Sequence, residues 1–273
     1  MEQERTSGSG KRGVDVATDH EGITAHAVTF DHRRGPVFYA SLPCRPRATE
    51  TLIGYRTNKA GEKHRLVSIL WDHLAAMEGP RGKPCQSSNK VATPIQVVRG
   101  PLGKPHLLLG EHRGPAVSFS EGGGKVWAAL CGDGSDIGID VAGTDEFRGE
   151  YPFHRVFHTQ ELQHASMLTG GDLAKASALL WSIKEAVVKA LGCGFHLVDP
   201  REISVHPSGE EGGGYTFSVC LSKKTQVRFP NRASSSLWVR SFPRQKTWLS
   251  LALLNPGASA FPAACCGVSE RLE

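Results

Sequence analysis

The stretch ALLWSIKEAVVKALGCGF, residues 178–195, carries Trp181, Lys184, Glu185 and Lys189 at helical spacing. At 3.6 residues per turn, Trp181, Glu185 and Lys189 fall one turn apart along one face, and Lys184 lies about 100° round from Glu185. A surface Glu–Lys pair would explain two of these residues. A carboxylate that binds a cation or takes a proton, one turn from an ammonium that neutralises an anion, would explain them as well. The segment SDIGIDVAG adds Asp140. The strand period of two sets it on the face opposite Ile139 and Val141. A carboxylate on an apolar strand is costly to bury unless something cationic meets it. That partner could be an arginine, a helix N-terminus or a hard divalent cation. Magnesium is typically held by one or two carboxylates with waters and phosphate oxygens, and Asp140 with Glu185 would supply two carboxylates.

Two weaker stretches could contact phosphate. Lys104 in RGPLGKPH sits between Gly103 and Pro105 on a stiff turn. Ser118 and Ser120 in PAVSFSEGGGKVW lie on one strand face beside a glycine turn. Each also has a plain reading, as a solvated lysine or a polar strand face.

Elements must place these residues. GITAHAVTF and GPVFYASLP alternate as a pair of strands, and residues 62–78 repeat Leu66, Ile69, Leu70 and Leu74 as an amphipathic helix. IQVVR is a strand. The run 115–142 reads as a three-strand meander with glycine turns. HTQELQHASML is a short helix with Thr159 as a plausible N-cap. Residues 172–191 form the longest later helix, capped by Asp172 and ended by Gly192 and Gly194. Strands EISVHP, YTFSVCLS, SLWVRSF and TWLSLALL follow. The expectation is an α+β fold of two pseudo-symmetric halves, each a small antiparallel sheet packed with helices, with a ligand cleft between them. Residues 1–22 are expected to be a disordered tail, 23–143 the N-terminal half, 144–255 the C-terminal half with the motif helix, and 256–273 a flexible tail.

Composition narrows the class. The 273 residues are 39% hydrophobic and 22% charged, as in an ordinary globular protein. No apolar run reaches the ~20 residues of a membrane span, and no secretory leader is visible, so a cytoplasmic location is expected. Seven scattered cysteines offer no C-x-x-C pair and read as reduced thiols. Among twelve histidines, His154 and His158 share i,i+4 spacing but fall at a turn, which suits a surface or cap role. A net charge of +5 suits an acidic ligand or partner without a nucleic-acid signature. No Walker loop, dinucleotide fingerprint or nucleophile elbow is present.

Taken in order, G-K-P, a short strand with S-x-x, G-I-D-V and W-S-x-K-E-A-x-x-K resemble the 4′-phosphopantetheinyl transferases of the large, single-chain Sfp type. RVFHTQEL is similar to that family's R-x-F-x-x-x-E. The resemblance covers about residues 95–205. It implies a monomeric, holo-[acyl-carrier-protein]-synthase-type enzyme that moves the phosphopantetheine arm of coenzyme A to a carrier-protein serine and releases adenosine 3′,5′-bisphosphate. It further implies that Asp140 and Glu185 hold Mg2+, that Glu185 takes the serine proton, and that Lys189 neutralises the phosphates. Lys184 would contact nucleotide phosphates or the helix surroundings, Lys104 would face the 3′-phosphate region, and Ser118 and Ser120 would contribute to the coenzyme A site. Trp181 would be a packing anchor, and the partner an acidic acyl or peptidyl carrier protein. Phe195 and His196 stand in a loop that lies near the carrier in the family, though core packing suits Phe195 better. Two positions depart from the pattern. Ala142 replaces an acid that many bacterial members carry. Glu121 replaces a histidine near the 3′-phosphate, so a basic neighbour such as Lys125, Arg113 or His112 would have to compensate. A non-catalytic relative that binds coenzyme A or carrier proteins is the alternative.

Overall fold

The computed structural model describes residues 15–18, 23–30, 35–44, 52–78, 95–100, 102–132, 134–149, 151–230 and 236–255. In chain order the first sheet contains β1 (Asp15–Thr18), β2 (Thr24–Val28), β3 (Val37–Pro43), β4 (Ile95–Arg99), β5 (Pro105–Leu109), β6 (His112–Gly122) and β7 (Lys125–Cys131). Helix α1 (Leu52–Glu78) lies between β3 and β4. The second sheet contains β8 (Asp136–Gly143), β9 (Ile203–Glu211), β10 (Gly214–Leu221), β11 (Ser236–Arg244) and β12 (Thr247–Asn255). Between β8 and β9 run α2 (Phe153–Val156), α3 (Thr159–Leu168) and α4 (Leu173–Leu191), and α5 (Lys223–Arg228) follows β10. Strand order is β1-β2-β3-β7-β6-β5-β4 in one sheet and β8-β12-β11-β10-β9 in the other, and every pairing is antiparallel.

Strand alternation builds four layers. Phe38, Ala40, Val126, Ala128 and Leu130 turn one face of the first sheet toward Leu66, Val67, Leu70 and Leu74 of α1. The intervening Val37, Tyr39, Trp127 and Ala129 face Ile137, Ile139, Val141, Leu249 and Leu251 of the second sheet. The far side of the second sheet, through Ala142, Trp248, Ala252 and Leu254, packs on α4 and α3. The order is therefore helix, sheet, sheet, helices. The α+β expectation of two antiparallel sheets with helices holds, with unequal sheets of seven and five strands among the described residues. Among the described residues no helix is long and apolar enough to cross a membrane.

Several expectations need correction. Residues 115–142 do not form a meander: β6 and β7 are a hairpin, but β8 crosses to pair with β12, the last strand of the described chain. Strand β8 therefore belongs to the second sheet, although residues up to 143 were expected in the N-terminal half. Asp15–Thr18, read as part of a disordered tail, pairs as β1 with β2. Residues 1–14, 19–22 and the 256–273 tail lie outside the described residues. The turn around Lys104 runs directly into an unforeseen strand, β5. Helix α1 begins ten residues before the expected 62, at Leu52, and α5 was not anticipated. The cap of α3 is His158, one residue ahead of Thr159, with its backbone N–H donating to Glu161 Oε1 at 2.8 Å.

Candidate active site

The site forms where β8 meets α4, and Gly138 sets how close they come. A Cβ there would lie 1.8 Å from the carbonyl oxygen of Ala186 and 2.7 Å from the nitrogen of Ala190. Only a residue without a side chain lets the strand rest on the helix backbone. Helix α4 is fixed at both ends. The Asp172 side chain accepts from Lys175 N at 3.0 Å, a bond that holds its carboxyl below the usual range. Gly192, at φ 82°, closes the C-terminus, with Cys193 N donating to Val188 O at 2.9 Å.

This packing brings Asp140 against the Trp181–Glu185–Lys189 face. Lys189 Nζ donates to Asp140 Oδ1 at 2.7 Å and to the carbonyl of Ile139 at 3.2 Å. Glu185 is partly buried. Burial first, and the charge of Asp140 second, push its carboxyl above the ordinary range, and Lys189 opposes them. The two carboxylates thus feel each other across 45 residues of chain, with a lysine beside them. Trp181 is half-buried against Phe195, with ring centroids 4.9 Å apart, and against Phe147 at 6.4 Å. It anchors the helix through aromatic packing. His196 is exposed.

Strand β8 is an edge strand, and the hydroxyls of β6 cover part of its edge. Ile139 N donates to Ser118 Oγ at 3.1 Å and Val141 N to Ser120 Oγ at 3.2 Å, while Ser120 Oγ donates to Asp140 Oδ1 at 2.9 Å. Both serines are buried. The expected pair of phosphate-binding hydroxyls therefore fastens one sheet to the other and orients Asp140, and only Ser118 also lines the neighbouring cleft. Lys104 reaches across the halves to Asp136 at 2.5 Å and to the carbonyl of Ala190 at 3.0 Å, near the negative end of α4. Asp136 was missed in the sequence, although the period of two places it on the same strand face as Asp140.

Of the two places expected for Lys184, the nucleotide phosphates or the helix surroundings, the structure shows the second. Lys184 is 0% exposed and pairs with Glu161 at 2.6 Å. It also donates to the carbonyls of Val156, Pro200 and Ile203. Burial lowers its ammonium from the ordinary lysine range, and Glu161 counters the shift. It cannot meet a nucleotide, because it ties α4 to α3, to the end of α2 and to the entry of β9. Glu161 Oε2 completes the knot by accepting from Val205 N at 3.1 Å.

Beside Lys189 opens a cleft of about 800 Å³ between the halves. Lys63 and His64 of α1, Arg99 of β4, Lys104, Phe119, Lys189 and Cys193 are among its lining residues, and no carboxylate lines it among the described residues. Burial pushes the Cys193 thiol up to about 11, so it supplies no thiolate at neutral pH. Glu121 is paired with Lys63 of α1 at 3.2 Å, a partner that was not among the compensating residues expected from sequence. Ala142 is buried on the α4 side of the second sheet. No group of three potential metal ligands occurs among the described residues. Two carboxylates whose charges repel, beside the Lys189 that lines the cleft, would nevertheless suit a magnesium ion completing its shell with water and phosphate oxygens.

Fold and site together describe a two-half α+β protein in which an acidic pair adjoins Lys189, one of the cations lining a basic cleft between the halves. Residues 136–240 match the family model of the 4′-phosphopantetheinyl transferase superfamily. They hold Asp140, the whole of α4 and most of the second sheet. A putative 4′-phosphopantetheinyl transferase of Synechocystis is 32% identical over 105 residues, 37% of this chain and 41% of the relative, so the alignment spans less than half of either protein. Among solved structures, an ACPS–CoA complex of Chronobacterium ammoniagenes aligns at a TM-score of 0.38 and 21% identity, over 45% of this chain and 98% of that one. The holo-[acyl-carrier-protein] synthase of Neisseria meningitidis aligns at 0.36 and 17%, over 44% and 96%.

Proposed function

We propose that this protein transfers the 4′-phosphopantetheine arm of coenzyme A to a serine of an apo carrier protein, releasing adenosine 3′,5′-bisphosphate. The observation that carries this reading is the convergence of Asp140, Glu185 and Lys189 beside a cation-lined cleft, within a segment matched to the superfamily. Coenzyme A lies in the cleft with its phosphates toward Lys104, Lys189 and the Ser118 strand. Asp140 and Glu185 would hold Mg2+, which when bound neutralises pyrophosphate charge. Glu185 accepts the proton of the incoming serine hydroxyl, a task its raised basicity favours. The serine oxygen bonds to phosphorus, the bond to the nucleotide phosphate breaks, and Lys189 offsets charge on the transferring group. Asp140, held by Ser120 and Lys189, keeps its carboxylate oriented during this step. The carrier is an acidic acyl or peptidyl carrier protein, drawn by the positive net charge, and the enzyme acts as a cytoplasmic monomer.

The test mixes the protein, coenzyme A and magnesium with a panel of apo carrier proteins and reads carrier mass. A gain of one phosphopantetheine arm on a serine is expected. Coenzyme A binding with no gain on any carrier would replace the transferase by a non-catalytic binding relative.

A further inference from the structure

The α1 wall of the cleft carries a charge arrangement that the reaction chemistry does not use. Lys63 lines the cleft, with its side chain 23% exposed. Its ammonium is 3.2 Å from Glu121 Oε1 and 5.7 Å from the centre of the Phe119 ring. Phe119 lines the cleft as well, whereas Glu121 is two residues further along β6 and does not. The next residue of α1, His64, is fixed by contact of its Nε2 with the carbonyl of Ile95, 3.0 Å away. This part of α1 is therefore pinned to both β6 and β4, and Lys63 has little freedom to swing away. Across the cleft Lys189 is already committed to Asp140, and Lys104 to Asp136 and the end of α4. Lys63 is held by a carboxylate that stands outside the cleft.

We propose that Lys63 is the phosphoryl-binding cation of the α1 wall and that Glu121 tunes it, acting as an internal counter-ion with which the ligand's phosphate must share the ammonium. This rests on the coenzyme A reading above. A half-buried lysine with a carboxylate neighbour attracts an incoming phosphate less than a lone one, because the two anions repel each other across it. The glutamate lowers ground-state affinity for the nucleotide end of the substrate, and equally for the nucleotide product, which must leave after each turnover. Glu121 is the affinity-tuning residue in this arrangement and Lys63 the one that touches ligand.

Opposite signs in two variants provide the test. Binding of coenzyme A and of adenosine 3′,5′-bisphosphate to the full chain is measured by calorimetry at fixed ionic strength. Lys63→Ala should weaken both by about fivefold or more, a loss of ~1 kcal/mol. Lys63→Arg should restore most of the affinity. Glu121→Gln should tighten binding of both, by roughly twofold to fivefold, and should have no effect once Lys63 is alanine. Thermal unfolding confirms that each variant is folded. Unchanged affinity in Lys63→Ala, with wild type binding normally, overturns the assignment of Lys63 and leaves the transferase reading standing. Weaker binding in Glu121→Gln overturns the tuning role, since Glu121 would then be a simple support. Absence of coenzyme A binding by the wild type overturns both this inference and the reading beneath it.

Discussion

Burial and the charge of Asp140 raise the carboxyl of Glu185, and Lys189 only partly offsets them. A raised carboxyl binds protons more tightly in the folded chain than in the unfolded one. Ionised Glu185 therefore works against folding at neutral pH, and this cost fades as pH falls through its raised folded-state value toward the ordinary 4.5. Glu185→Gln should abolish arm transfer and, without ligand, melt higher than wild type at neutral pH, with the gap closing on acidification. Melting curves at several pH values check this, and a variant that melts lower throughout would show that the carboxylate supports the fold. Residues of this motif differ in how far sequence reveals them. Trp181, Glu185 and Lys189 share a helical face, and the structure keeps them together. Lys184 was left between nucleotide and helix surroundings, yet its neighbours carried the signal for the second: Leu180, Val187, Val188 and Leu191 lie three, four and seven positions away and are all apolar, so Lys184 sits on the buried stripe. Its partner Glu161 is 23 residues upstream, and no local pattern joins the two. Asp136 was legible from strand period alone.

Elements impose the geometry that those side chains use. The contact of β8 with α4 depends on one missing Cβ, and that requirement was visible only as a glycine between two isoleucines. Gly138→Ala places a methyl 1.8 Å from a helix carbonyl, a clash with backbone that no rotamer change relieves. It should cost on the order of 1–3 kcal/mol, the usual range for overpacking, and should also cut transfer by moving Asp140 away from Glu185 and Lys189. Urea unfolding gives the first quantity and the carrier mass assay the second. Loss of activity with unchanged stability would mean that the strand shifts without resistance, contrary to the tight packing seen. Helix limits for α4 followed from Asp172 and Gly192 because caps are local chemistry. The strand at Pro105–Leu109 did not, because PHLLL is short and follows a Gly-Lys-Pro turn, where turn chemistry dominates the reading. Helix α1 was read short at its start because Gly61 interrupts the apolar period ahead of Leu66.

At the scale of the whole molecule, the two halves share a core. Ile137, Ile139, Val141, Leu249, Leu251 and Leu253 of the second sheet are buried by Val28, Val37, Tyr39, Trp127 and Ala129 of the first. Ser118 and Ser120 satisfy two N–H groups at the edge of β8, and Arg240 of β11 donates to the carbonyl of Thr29 at 2.8 Å. Sequence showed two sheets' worth of strands but not this interlocking, because a strand that reads as the third of a meander has the same alternation whichever sheet it joins. The superfamily match confines itself to 136–240, which invites the idea that the second half is self-sufficient. The packing argues otherwise. Residues 136–255 expressed alone would expose a continuous apolar sheet face and a β8 edge stripped of its two serine partners, a surface prone to self-association. The fragment should elute as an oligomer or precipitate, and should lose coenzyme A binding, because Lys63, His64, Arg99 and Lys104 leave with the first half. Co-expression with residues 1–135 should recover a soluble complex held by that shared core. Size-exclusion chromatography with light scattering distinguishes these states, and a monodisperse, monomeric 136–255 fragment that still binds coenzyme A would mean that the cleft and the core between the sheets are dispensable to the site.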